Sequence, residues 1–163
     1  KGENTSPVLL LVGAGELESQ LRKIAGNELG RTIFFAPFQN QTQMPKVYAA
    51  CDLLVLPSYG SGETWGLSIN EAMSIGKPVI VSSHVGCGPD LVRNGSTGWI
   101  FEAGNLNALA EVVATAISLD DESLCKMGEL ARAHVDLYSY DAATSALMKI
   151  LDEQIVRHKG KLS

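Results

Sequence analysis

Short, wholly apolar runs alternate along this chain with longer stretches in which apolar residues return every third or fourth position. The runs are Val8-Leu9-Leu10-Leu11-Val12, Ile33-Phe34-Phe35, Leu53-Leu54-Val55-Leu56, Val79-Ile80-Val81 and Trp99-Ile100-Phe101. Such short segments without polar alternation fit strands buried on both faces of a parallel sheet. Between the first two, Leu17, Leu21, Ile24 and Ala25 keep the rhythm of one helical face. Thr42, with Pro45 close behind, opens a short helix through Val47-Tyr48-Ala49-Ala50. A helix over 67–75 is stopped by Gly76-Lys77-Pro78, and a helical turn over 90–93 is closed by Asn94-Gly95. Asn105 caps a helix whose core face is Leu109, Val113, Ala116 and Ile117. Leu124, Met127, Ala131 and Val135 mark another, and Asp141 caps a last one carrying Leu147, Leu151 and Ile155.

Apolar strands alternating with amphipathic helices predict an α/β fold, a parallel sheet with helices on both faces. Ligands of such sheets bind outside the carboxyl ends of the strands. Residues 13–15, 38–39, 58–66 and 83–89 all follow strands, so these four loops are expected to converge on one crevice.

Composition narrows the partners. With 163 residues, no internal repeat and no linker, the chain reads as one domain, 1–163. A net charge of −5 without any basic block argues against nonspecific nucleic-acid binding and against an anionic membrane surface. No apolar run approaches the ~20 residues of a membrane span. No signal peptide is visible, and Lys1 in place of an initiating Met suggests a fragment. Cys51, Cys87 and Cys125 are odd in number and lack a CxxC pair, which fits reduced thiols in a cytoplasmic protein. His84, His134 and His158 show no ligand spacing, so no metal site is expected.

The candidate chemistry lies in the loop after the third strand. Glu63 and Glu71 stand eight positions apart in Gly62-Glu63-Thr64-Trp65-Gly66-Leu67-Ser68-Ile69-Asn70-Glu71. One carboxylate falls in a loop and the other in the helix that the loop feeds. Amides around Gly66 at the helix start can face a ligand. Carboxylates accept from sugar hydroxyls, and a helix N-terminus attracts phosphate, so the arrangement suits an anionic, hydroxyl-rich molecule. An arbitrary Glu inside a helix is usually only solvated. Glu71, however, follows Leu67 and Ile69 and precedes Ala72-Met73, which suggests partial burial. A buried carboxylate needs partners, and a vicinal diol supplies two.

Other motifs read more plainly. Gly13-Ala14-Gly15-Glu16-Leu17-Glu18 begins like a dinucleotide fingerprint, but Glu18 stands where the third glycine belongs and would compete with a pyrophosphate. A tight strand-to-helix turn is the better reading, and a ligand can still approach Gly13. Trp65 is either a plug in its loop or a ligand contact. Asp52 reads as a cap or turn residue, Lys77 as a cation at a helix C-terminus, and Cys51 and Cys87 as small fillers. No Gly-x-Ser-x-Gly elbow surrounds Ser58 or Ser61.

Taken in order, several segments resemble family 4 glycosyltransferases. They are Val12-Gly13-Ala14-Gly15, Asn40-Gln41-Thr42-Gln43-Met44-Pro45, Tyr48-Ala49-Ala50-Cys51-Asp52-Leu53-Leu54-Val55-Leu56-Pro57-Ser58, and Glu63-Thr64-Trp65-Gly66-Leu67 with Asn70-Glu71-Ala72-Met73. Val85-Gly86, Asp90-Leu91-Val92, Asn94-Gly95, Gly98 and Leu109-Ala110 complete the pattern, which covers about residues 8 to 150. The paired glutamates alone are a weak signal; in this order they are a strong one.

The resemblance implies a GT-B fold, of which this chain is the Rossmann-like C-terminal half that binds a nucleoside-diphosphate sugar, UDP- or GDP-type. It implies sugar transfer with retention, without a bound metal or other cofactor. Glu63 corresponds to the catalytic residue near the transferred sugar, and Glu71 to the residue that grips the ribose diol. Thr64, Trp65, Gly66 and Leu67 lie where donors reach the sugar and phosphate, Phe38 and Gln39 where the base is read, and Gly13 where the backbone approaches the donor. Acceptor binding belongs to an N-terminal domain outside this chain, as does any peripheral attachment at the inner membrane face. The Arg and Lys that clamp the diphosphate follow a first strand that nothing before Val8 supplies, so the isolated chain is expected to bind donor weakly and not to turn over. Pro37 stands where the family commonly has Gly, and Cys51 where it has Ala. Alternative readings are a non-catalytic nucleotide-sugar binding module, a synthase of sucrose or a sugar phosphate, and, weakened by the missing glycine, an NAD-dependent oxidoreductase domain.

Overall fold

The computed structural model describes residues 6–159. Among these residues five strands and seven α-helices follow one another in the expected order. The chain divides into two compact units, Lys1–Val47 and Tyr48–Ser163. The strands are distributed between them as two parallel sheets, one of two strands and one of three.

In the first unit, β1 (Leu9–Val12) pairs in parallel with β2 (Ile33–Ala36), Leu9 opposite Ile33 and Val12 opposite Ala36. The connection is α1 (Glu18–Ala25). The four-residue apolar face expected of α1 is only partly buried: Ala25 is in the core, whereas Leu17 and Ile24 are 64% and 72% exposed. A two-stranded sheet offers little surface to cover a helix face. Arg22 uses part of that surface instead, lying 4.4 Å above the Phe35 ring and pairing with Glu18 at 2.8 Å. The short helix α2 (Met44–Ala49) is introduced by Asn40 rather than Thr42. The Asn40 carboxamide oxygen accepts from the amides of Thr42 and Gln43 and from the Thr42 hydroxyl. An Asx turn supplies the cap because the Asn40 carboxamide reaches the amides two and three residues on, while the Thr42 hydroxyl is spent as a donor to it.

The second unit is built on β3 (Leu54–Leu56), β4 (Val79–Ser82) and β5 (Gly98–Phe101), with β4 central and all pairings parallel. All four residues of β4 are buried, as a central strand covered on both faces requires. Ile80 packs with Trp99, Phe101, Ala116 and Met127. Its neighbour Val81 points the other way, where a methyl group added at Gly88 would stand 3.5 Å from Val81 Cγ2. Helices therefore cover both faces. They are α3 (Leu67–Ser74), α4 (Gly88–Leu91), α5 (Leu106–Ile117) and α6 (Asp121–Val135), while α7 (Tyr140–Lys159) follows with most of its described side chains exposed.

The structure shifts several expected details. The helical turn α4 starts at Gly88, two residues before the expected 90, because Pro89 favours the first turn of a helix. Asn105 caps α5 as expected, its side chain accepting from the Ala108 amide at 3.0 Å. The apolar face of α5, however, runs through Ala108, Leu109, Val112, Val113 and Ala116, while Ile117 is exposed. One residue past Ala116 rotates a side chain by about 100°, enough to turn it to solvent. At α7 the cap is Ser139, whose hydroxyl accepts from the Ala142 amide, and Asp141 lies inside the helix. Leu147 and Leu151 are exposed, and the Ile155 side chain lies outside the described residues, as does Lys1.

Candidate functional site

The loop after β3 carries Glu63, Thr64, Trp65 and Gly66, α3 carries Leu67 and Glu71, and the second unit ties that loop to the one after β4. The Ser82 hydroxyl donates to the Ser58 carbonyl. The Gly60 amide donates to His84 Nδ1 at 2.9 Å, and the Tyr59 ring stacks on His84. Further along, the Cys87 amide donates to the Trp65 carbonyl at 2.8 Å and the Cys87 thiol points at the Gly66 carbonyl. Gly86 lies so close to this loop that a Cβ on it would fall 2.0 Å from the Thr64 carbonyl oxygen. These bonds hold residues 58–66 against residues 82–88.

Gly66 turns the chain from that loop into α3. It adopts φ +99°, a conformation L-residues rarely take, and stands at the N-cap of α3, where no side chain caps the helix. The first amides of α3 therefore have no side-chain acceptor, the electrostatic setting that attracts an anion. The half-buried Trp65 ring is held here by its indole N–H, which donates to Asn70 Oδ1 at 2.7 Å. Thr64 and Leu67 are exposed at the same turn.

The two carboxylates differ in their surroundings. Glu63 is half-buried in the loop and its carboxylate has no hydrogen-bond or ion-pair partner among the described residues. Its charge is near enough to Cys87 to help raise that thiol. Burial is the main cause, and together they push the Cys87 pKa up to about 11. Glu71 is half-buried on the second turn of α3, beside the fully buried Ile69, Ala72 and Met73. Its Oε2 accepts from the Tyr48 hydroxyl at 2.7 Å. Tyr48 is itself buried, and burial first, then the Glu71 carboxylate, raises its pKa well above the ordinary phenol value.

The remaining candidates lie in the first unit. Gly13 has φ +130° and its amide is already used by the Ala36 carbonyl at 3.0 Å, so only its Cα face is open to a ligand. The Phe38 ring is exposed, and the Gln39 carboxamide folds back onto the Pro37 carbonyl at 3.0 Å. Glu18, the residue that breaks the dinucleotide fingerprint, is engaged by Arg22.

Tyr48, Asn70, His84 and Cys87 had no assigned part in the site from sequence. The Tyr48–Glu71 bond joins residues 23 positions apart, beyond any local pattern. The one available signal was a hydroxyl-bearing aromatic among apolar Val47 and Ala49, because a buried phenol requires an acceptor. Cys51, half-buried with its pKa raised by burial, and Cys87 behave as fillers; all three thiols are free. The Lys77 ammonium approaches the Ala49 carbonyl at 3.4 Å, at the end of α2. Among the described residues no helix is long and apolar enough to cross a membrane.

Parallel α/β units with loops joined at the carboxyl ends of the strands define a Rossmann-like class of fold, in which ligands bind at that edge. A family model described as "Glycosyl transferases group 1" matches residues 1–134, and the chain belongs to that family. A D-inositol 3-phosphate glycosyltransferase of Corynebacterium jeikeium is 32% identical over 143 residues, 86% of this chain and 33% of the relative. The amylovoran biosynthesis glycosyltransferase AmsK of Erwinia amylovora is 29% identical, over 87% of this chain and 36% of its own. The chain thus spans about a third of the length of these curated relatives. Among solved structures, Anabaena HepE in complex with UDP-glucose superposes with TM-score 0.69 and 27% identity, covering 90% of this chain and 41% of HepE. Sucrose-phosphate synthase from Thermosynechococcus elongatus gives TM-score 0.70 and 26% identity, covering 91% of this chain and 39% of the synthase. The expected fold class, the Rossmann-like half of a GT-B transferase, is the one observed.

Proposed function

We propose that residues 1–163 form the donor-binding domain of a retaining, metal-independent family 4 glycosyltransferase. It moves a sugar from a nucleoside diphosphate to a glycan, lipid or small-molecule acceptor. The observation that carries this reading is the pairing at one sheet end: partner-free Glu63 in the loop, and Glu71 on the helix whose uncapped amides begin at Gly66. A UDP-glucose complex of HepE, 27% identical, favours a donor of the same type.

In this reading the Glu71 carboxylate accepts from the two ribose hydroxyls. The amides of Thr64, Trp65, Gly66 and Leu67 serve the sugar and diphosphate. For Gly13, Phe38 and Gln39 the donor-backbone and base-edge roles rest on the resemblance alone. The bond between the anomeric carbon and the phosphate oxygen breaks while the acceptor oxygen bonds to that carbon from the same face. The acceptor proton passes to the departing phosphate. Charge grows on the leaving diphosphate, and fixed amides with a helix dipole stabilise it. Glu63 positions the sugar and stabilises positive charge at its anomeric centre; no covalent intermediate is required.

The test is release of nucleoside diphosphate by the complete protein from a panel of UDP- and GDP-sugars, with and without EDTA. Glu63→Gln lowers kcat on the order of a hundredfold while KM changes little, and activity persists in EDTA. Equal loss in kcat and donor affinity would reduce Glu63 to ground-state binding. The likeness to sucrose-phosphate synthase favours one second reading, with a sugar phosphate as acceptor. Including fructose 6-phosphate among the acceptors separates the two.

A further inference from the structure

We propose that Tyr48 is a positioning residue that fixes the Glu71 carboxylate for a ribose diol and so makes the site selective for ribonucleotides. The inference rests on the donor-binding reading of Glu71. The Tyr48 hydroxyl donates to Glu71 Oε2 at 2.7 Å, from α2 across to α3. A carboxylate offers about four lone-pair sites, two on each oxygen. Tyr48 occupies one, leaving Oε1 whole and one site on Oε2. A vicinal diol needs one site on each oxygen, so the remaining set matches it.

The bond also orders the side chain in advance. A Glu loses considerable rotamer freedom when it is fixed, and that loss otherwise opposes binding. Tyr48 is suited to the task because it is buried and held within its own helix. Burial and the neighbouring carboxylate keep the phenol protonated, so it remains a donor across the working pH range. Against a deoxyribose the same geometry leaves part of the Glu71 acceptor set unsatisfied.

The experiment is calorimetric titration of the complete protein with UDP, GDP and ADP and their 2′,3′-dideoxy counterparts. The proteins are the parent, Tyr48→Phe, Glu71→Ala and the double variant. The parent prefers one ribonucleotide over its dideoxy form. Tyr48→Phe weakens the ribonucleotide by about three- to tenfold, leaves the dideoxy form unchanged, and adds nothing in the Glu71→Ala background. Equal weakening of both sugars, or a full effect in the Glu71→Ala background, would show that Tyr48 only supports the fold. An unaltered Tyr48→Phe beside a weakened Glu71→Ala overturns the inference alone. A parent that binds none of the diphosphates, or a Glu71→Ala with full affinity, overturns the donor-binding reading as well. The parent's own preference between ribo and dideoxy forms is read without any variant, and its absence also overturns the inference.

Discussion

Replacing Gly66 with alanine strikes the turn between loop and helix in two separable ways. The residue sits at φ +99°, and forcing an L-residue into such a conformation costs about 1–3 kcal/mol. The new Cβ would stand 2.7 Å from Val85 Cγ1 and 3.4 Å from both Cys87 Sγ and Leu56 Cδ2. Val85 and Cys87 are fully buried, so the neighbours have little room to yield. Overpacking of this kind adds about 1–3 kcal/mol. The expected loss is therefore about 2–6 kcal/mol, a large share of the usual 5–15 kcal/mol of a domain. Urea denaturation measures it, with Gly62→Ala as the control. Gly62 has no positive φ and a Cβ there meets nothing within 4 Å, so that change is expected to be nearly neutral. Val85→Ala in the Gly66→Ala background removes the overlap but not the backbone strain. The pair is expected to couple favourably by about 1 kcal/mol or more. A Gly66→Ala protein within 0.5 kcal/mol of the parent, or additive behaviour with Val85→Ala, would refute the steric reasoning.

The other predictions touch the same unit. Cys87 ionises near 11 when folded against an ordinary 9.0, so its contribution is complete below pH 9 and falls as pH rises between those values. Urea midpoints measured from pH 8 to 11 should drop more steeply for the parent than for Cys87→Ala. At pH 8, mass spectrometry after iodoacetamide treatment should find exposed Cys125 alkylated and buried Cys87 spared. Asn105→Ala removes the acceptor of the Ala108 amide and is expected to cost about 1 kcal/mol in the same denaturation assay. Asp141→Ala should leave the start of α7 intact in hydrogen exchange, whereas Ser139→Ala frays it.

What could be read without coordinates followed from local periodicity. The runs 79–81 and 99–101 became β4 and β5 because a wholly apolar segment of that length is stable in water only when covered on both faces. Asn105 was legible because an N-cap bonds three residues ahead, inside one window of sequence. The errors came where two local acceptors or faces compete. Ser139 outreaches Asp141, Asn40 outreaches Thr42, and the α5 face ends at Ala116 rather than Ile117. The caps are decided by which side chain reaches the free amides, and the α5 face by packing against the sheet. The candidate site divides in the same way. Glu63, Gly66 and Glu71 belong to one continuous segment and could be picked out together. The contacts that hold them, Tyr48 to Glu71, His84 to Gly60 and Cys87 to Trp65, join residues 22 to 24 positions apart. Separations of that size are set by how β3, β4 and the helices stack, and no motif records them.

Titration of the complete protein with UDP, GDP, ADP and NAD, followed by amide NMR and repeated with Glu71→Ala, tests the donor-binding role most directly. The expected result is binding of one diphosphate, with shifts at residues 63–71, weakened by about 1.5–3 kcal/mol in the variant. Binding of NAD alone, or an affinity for diphosphate that Glu71→Ala leaves unchanged, would contradict it.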